Sequence, residues 1–212
     1  MDVSSPLRSL IPSLDSAVLE VLVRSESGFG PTQVKRLAGR GSRAGIQLVL
    51  DRLVEHGLAL AETTNHGYVY RLNRDHLLTP AVLTAVSVRH ELLARLTSAV
   101  AALTPSPIHA SVFGSFARGD GDQESDVDLF LVMDAGIPSE SNWEVQLRQL
   151  EDRVHGWTGN RLEILAMDRK GVVTAVQNGE RIVGELRTDA LTLLGPDIML
   201  LTSPVAGHAA IA

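Results

Sequence analysis

The sequence contains no cysteine, which excludes disulfide bridges and thiolate zinc sites. It contains no apolar run of about 18 residues, so no membrane-spanning helix is expected. Residues 1–16 lack the basic start and continuous apolar stretch of a secretory signal, and a cytoplasmic protein is the expectation. Internal repeats and low-complexity blocks are also missing. The seven histidines show no spacing suited to a metal site, and His56, His66 and His76 read as surface or capping residues.

The N-terminal part has no marked excess of either charge. Residues 1–78 hold nine Lys/Arg and eight Asp/Glu, a balance of +1, so any nucleic-acid contact there must come from a local patch. Residues 79–212 hold ten Lys/Arg and seventeen Asp/Glu, a balance of −7, which completes the total of −6. An acidic second part suits a metal site better than a long nucleic-acid groove, although surface acidity also simply serves solubility. What is present is ordinary globular composition, 44% hydrophobic and 21% charged over 212 residues, enough for one or two domains.

Periodicity predicts an α+β chain. Leu14 to Arg24 repeats at helical spacing with Ser13 available as N-cap, and Gly28-Phe29-Gly30-Pro31 breaks it. Thr32 to Leu37 is a short second helix, closed by Gly39-Arg40-Gly41. Ser42 then caps a third, with Ile46, Val49, Leu50, Leu53 and Val54 recurring at three and four and Gly57 at its end. Leu58–Thr64 and Tyr68–Leu72 read as a hairpin turned at Asn65-His66-Gly67, with the tyrosines as packing residues.

Thr79-Pro80 marks a boundary, dividing the chain into domains 1–80 and 81–212. A helix over about 81–103 leads the second domain and is the candidate dimer element, an oligomer being open. Strands follow at Ile108–Phe113, Asp126–Met133 and Arg161–Met167, with helical patterns at Trp143–Trp157 and Gly171–Arg187. A short last strand over Ala190–Leu194 precedes a loose Ala/Gly-rich tail after Pro204.

The most informative stretch runs from Val112 to Leu129. Gly114 ends a strand and lets the backbone turn close to a ligand. Ser115 offers a hydroxyl and an N–H to a phosphate, and Arg118 can add a charge-assisted contact. Ten residues separate Ser115 from Asp126, room for a turn or short helix before the chain returns as a strand. Asp126 and Asp128, two apart on that strand, project from one face, while Val127 and Leu129 point into a core. Paired carboxylates on an apolar strand repel unless a cation neutralises them, and Mg²⁺ takes oxygen ligands and bridges carboxylates to phosphates. Asp120, Asp122 and Glu124 read as solvated turn residues.

The run GSFARGDGDQESDVDLFLV resembles the minimal nucleotidyltransferases of the DNA polymerase β-like superfamily, which include antitoxin-type members. The resemblance covers about residues 88–196. It implies a small mixed-sheet domain and transfer of a nucleoside monophosphate, AMP foremost, from an NTP such as ATP, with release of pyrophosphate. It assigns Asp126, Asp128 and Glu163 as catalytic and Mg²⁺-holding residues in a two-metal site. Gly114, Ser115, Arg118 and Ser125 fall to the nucleotide. The family more often has Asp where Glu163 stands. The acceptor is a protein, RNA or small-molecule hydroxyl; the antitoxin-type likeness favours a protein, and a toxin-like protein is a further candidate partner.

Three helices followed by a hairpin look like a winged helix-turn-helix domain. That likeness puts the third helix in a DNA groove, with Arg40, Arg43 and Gln47 near its start. Arg71 or Arg74 would serve the wing, and Lys35 and Arg36 the phosphates. Such domains also serve as protein-interaction modules. Gly39-x-Gly41-x-x-x-Gly45 superficially resembles a dinucleotide loop, but a helical pattern precedes it where a strand is required. Two alternatives of a different class stand beside the enzyme: a transcription regulator that senses nucleotide without turnover, and an antitoxin-type protein acting by binding its partner.

Overall fold

The computed structural model describes residues 1–65, 67–138 and 141–202. The backbone divides into two compact units, Ser4–His90 with Asp2, and Glu91 onward with Met1 and Val3.

In the first unit, α1 (Pro6–Leu10) precedes α2 (Leu14–Val23), α3 (Pro31–Ala38) and α4 (Arg43–Glu55). The caps are those the sequence indicates. Ser13 accepts from Asp15 N, Ser42 accepts from Gly45 N, and Gly39 closes α3 in the left-handed conformation. β1 (Ala59–Thr64) and β2 (Gly67–Leu72) pair antiparallel, with Ala59 opposite Leu72 and Thr64 opposite Gly67. The expectation for His66 in that turn lies outside the described residues. Val18, Leu22, Val34, Ile46, Leu50 and Leu72 form the centre of this unit's core. Tyr70 is buried in it, whereas Tyr68 stays exposed on the hairpin with its ring 6.3 Å from that of Tyr70. The single turn α1 was not expected, because five residues are too few for a periodic signal; Leu7 is nonetheless buried.

α5 (Thr79–Ala101) gives Val82 and Ala85 to the first core and Leu92, Leu96 and Val100 to the second. The division of the chain falls within this helix, between His90 and Glu91.

The second unit continues with β3 (His109–Phe113), α6 (Gly114–Arg118), β4 (Val127–Met133), α7 (Ser141–Thr158), β5 (Leu162–Asp168), α8 (Arg169–Asn178), α9 (Arg181–Asp189), β6 (Leu191–Leu194) and α10 (Ile198–Thr202). Its four-stranded sheet has the order β5-β4-β3-β6, with β4 and β5 parallel and the other pairs antiparallel. Alternation along β4 sorts its side chains between two cores. Val127, Leu129, Leu131 and Met133 join α5 and α7 residues on one face, among them Trp143 at 2% exposure. Phe130 and Val132 face Val172, Leu186 and Ile198 on the other. Trp157 packs at the margin of the first of these cores, with the guanidinium groups of Arg95 and Arg153 each over its ring, 5.5 and 5.0 Å from the centroid. The tail after Pro204 lies outside the described residues. Among those described, no helix is long and apolar enough to cross a membrane.

Candidate active site

The site grows from the junction of β3 and β4. Phe113, the last residue of β3, pairs with Asp128, and Asp128 pairs on its other side with Glu163 of β5. Gly114 turns the chain with φ +70°. A Cβ there would overlap Asp128 Oδ2 and come within 3.1 Å of its Cγ, so only glycine lets this backbone pass the carboxylate. Ser115 follows, half-buried, and its carbonyl accepts the N–H groups of Gly119, Asp120 and Gly121, folding the loop back on α6.

Asp126 and Asp128 are both half-buried. Asp126 sits one residue before β4, because the ladder starts with Val127 N donating to Arg161 O at 2.9 Å. Val127 and Leu129 point into the core as expected. Burial first, and then the charges of Asp126, Glu163 and Glu185, push the Asp128 carboxyl above the usual carboxylate range, with Arg118 opposing. Glu163 itself is exposed.

The donors gathered here are all carboxylate oxygens, the chemistry of a hard cation. Among the described residues no group of three or more His, Cys, Asp or Glu side chains is arranged to hold a metal ion. Asp126 and Asp128 could hold such a cation, since Mg²⁺ commonly binds through one or two carboxylates together with substrate phosphates.

Two of the expected nucleotide-binding residues are already engaged. Arg118, exposed, pairs with Asp120 and Asp189. Ser125 Oγ accepts from Asp122 N and donates to Asp122 Oδ1, both at 2.9 Å, which holds the Asp122 carboxyl below its usual range. Sequence reasoning missed Asn160. It is buried, and its amide donates to Ser125 O at 2.9 Å and Gln123 O at 3.4 Å, fastening the loop that delivers Asp126. Its position after Gly159 reads only as a turn. Glu185 was missed as well, since nothing local marks one acid on α9 as adding its charge to those that raise Asp128.

In the first unit, Arg43 stands exposed at the first turn of α4, and Lys35 and Arg36 are exposed on α3. The other candidates are occupied. Arg40 donates to Ser13 O and Ser16 Oγ, Gln47 to Asp51 Oδ1 and Tyr70 Oη, Arg71 to Glu62, and Arg74 to Val23 O. A cleft of about 500 Å³ lies beside Gln47, lined by Pro31, Asp51, Ala61, Tyr68 and Tyr70 among others.

Residues 93–178 match the family model described as nucleotidyltransferase domain. No curated protein sequence matches the chain. Among solved structures, a crystal structure described as a toxin–antitoxin with AMP-PNP is 14% identical at a TM-score of 0.39, covering 52% of this chain and 80% of that one. A mutant of the toxin–antitoxin MntA-HpeT is 12% identical at a TM-score of 0.38, with the same coverage. The Gly114-to-Asp128 site lies inside the matched segment: the chain carries a nucleotidyltransferase domain over residues 93–178 and is an enzyme of the nucleotidyl-transferring class.

Proposed function

We propose that this enzyme moves a nucleoside monophosphate, AMP foremost, from an NTP to an acceptor hydroxyl, a protein side chain foremost, and that its N-terminal unit binds DNA as a winged helix. The observation that carries the transferase part is the contact of Gly114 with Asp128. It sets a glycine turn directly against a carboxylate whose like-charged neighbours call for a cation.

In this reading Gly114 and Ser115 receive the triphosphate, and Arg118 supplies positive charge to it. Asp126 and Asp128 would hold Mg²⁺, with Glu163 beside them. Bound there, Mg²⁺ would neutralise charge on the phosphates and the leaving group. Asn160 and the Ser125–Asp122 bonds hold the Asp126 loop in place, so the carboxylates meet the substrate without rearrangement. The balance of −7 over residues 79–212 disfavours a long RNA acceptor. For the N-terminal unit, the exposed cations Arg43, Lys35 and Arg36 support a DNA contact through α4 and α3.

A second reading, a regulator that binds nucleotide without turnover, is favoured by one feature: Glu163 is exposed. Incubation with Mg²⁺ and each α-labelled NTP, alone and with a cell extract, separates the two. Label on an acceptor, lost in the Asp126→Asn/Asp128→Asn double variant, supports transfer. Nucleotide binding without transfer supports the regulator.

A further inference from the structure

Arg118 ends the five-residue helix α6 with its side chain 43% exposed, and it is held by two unlike carboxylates. Its Nε donates to Asp120 Oδ2 at 3.1 Å, and Asp120 is 62% exposed, two residues along the same loop. Its Nη1 donates to Asp189 Oδ2 at 2.7 Å, and Asp189 is 10% exposed, the last residue of α9 and 71 positions away. Nη2 has no partner among the described residues.

These two bonds differ in strength for a physical reason. Water competes freely for the Asp120 carboxylate, and such exposed pairs contribute little. Asp189 has lost most of its hydration, so leaving it unpaired is costly and the bond to Arg118 persists. Asp189 also shares a face of α9 with Glu185, one helical turn earlier, whose charge is felt at Asp128. Through Asp189 that face of α9 meets the end of α6, the helix that follows β3. Both acids lie beyond residue 178, where the match to the nucleotidyltransferase domain ends.

We propose that Asp189 is a positioning residue: it grips Arg118 at Nη1 and presents the Nε–Nη2 edge of the guanidinium to the triphosphate of the bound nucleotide. The assignment rests on the transferase reading above and gives that site a part contributed by α9. A guanidinium can serve a carboxylate on one edge and a phosphate on another, because it carries five donors in a fixed plane. A free arginine side chain loses rotamer entropy when it binds, and one already anchored loses less of it when the ligand arrives. Asp120 holds only Nε and is open to water, so the phosphate displaces Asp120 while Asp189 stays.

The test measures nucleotide affinity by calorimetry with Mg²⁺ present, alongside KM and kcat where transfer occurs. The four NTPs are tried on the unaltered protein, and the tightest is carried forward. Asp189→Asn is expected to weaken binding about tenfold and to raise KM more than it lowers kcat. In an Arg118→Ala background the same substitution is expected to cost nothing further, because its only route to the nucleotide is gone. Asp120→Ala is expected to leave affinity unchanged or slightly tighter. Arg118→Lys keeps a cation for Asp189, and so spares the fold, but cannot grip the carboxylate and offer a planar edge at once; it is expected to lose affinity as Arg118→Ala does. Unchanged affinity in Asp189→Asn, equal losses with and without Arg118, or full affinity in Arg118→Lys would each overturn the assignment. Absence of nucleotide binding by the unaltered protein overturns the transferase reading instead, and the assignment with it.

Discussion

Gly114 and Asp128 touch across the β3–β4 junction so closely that no side chain fits between them. Gly114→Ala must therefore displace the carboxylate and also place alanine at φ +70°, a conformation that costs roughly 1–2 kcal/mol for a residue with a Cβ. The variant is expected to lose transfer activity and to melt several degrees lower. Full activity in a label-transfer assay would show that the contact does not matter to the chemistry.

Asp128 is kept where burial and neighbouring negative charge oppose its ionised form. Asp128→Asn is expected to raise the melting temperature at neutral pH while lowering transfer about a thousandfold, a loss of several kcal/mol of transition-state stabilisation. Added Mg²⁺ is expected to stabilise the unaltered protein and not the variant. A variant less stable than its parent would contradict the account of like-charge crowding.

How much of this was legible in advance depended on whether the signal was local. Ser13, Ser42 and Gly39 cap or close helices within a few residues of the groups they serve, and each was readable. Gly114, Asp126 and Asp128 carry a spacing that points to one turn and one strand. The bond between Arg118 and Asp189 could not be read, because the order of β3 and β6 in the sheet brings these distant residues together. The same blindness applies to Arg40. A basic residue before α4 looks available for DNA, and its hydrogen bonds to Ser13 and Ser16 become visible only in the fold.

Arg40 and Arg43 should consequently behave differently. Arg40→Ala removes hydrogen bonds from a charged donor that join the start of α4 to α2, and it is expected to destabilise the first unit by about 1.5–3 kcal/mol. Arg43→Ala is expected to leave stability unchanged and to weaken DNA binding, with a shallower dependence on salt if it meets a phosphate. Electrophoretic mobility shifts over a salt series, beside thermal melts, distinguish these outcomes. DNA binding indifferent to Arg43 would favour a protein-interaction role for this unit.

His109 is fully buried on β3, next to Phe130. Its Nδ1–H donates to Pro196 O at 2.8 Å, since that carbonyl can only accept, which leaves Nε2 to accept from the Ser111 hydroxyl at 3.0 Å. Burial, partly opposed by the bond to Pro196 O and the charge of Asp197, pushes its pKa below the ordinary value of 6.5. As the pH falls below that value the unfolded chain takes up a proton that the folded one resists, so stability is lost on the acid side. Melting temperatures measured from pH 7 to about 5 should fall less steeply in His109→Leu than in its parent, even if that variant is less stable throughout. Parallel slopes would exclude His109 as a source of the acid sensitivity.

Both tryptophans of the chain, Trp143 and Trp157, lie in the second unit, and both tyrosines, Tyr68 and Tyr70, lie in the first. Indole fluorescence therefore reports on the nucleotidyltransferase domain alone. Trp157 adds a local probe there, because it is half-buried and has two guanidinium groups over its ring. Tyrosine absorbance reports on the helix-and-hairpin unit. Following both colours during one denaturation would reveal whether the two units come apart in a single event or in sequence, with no label attached.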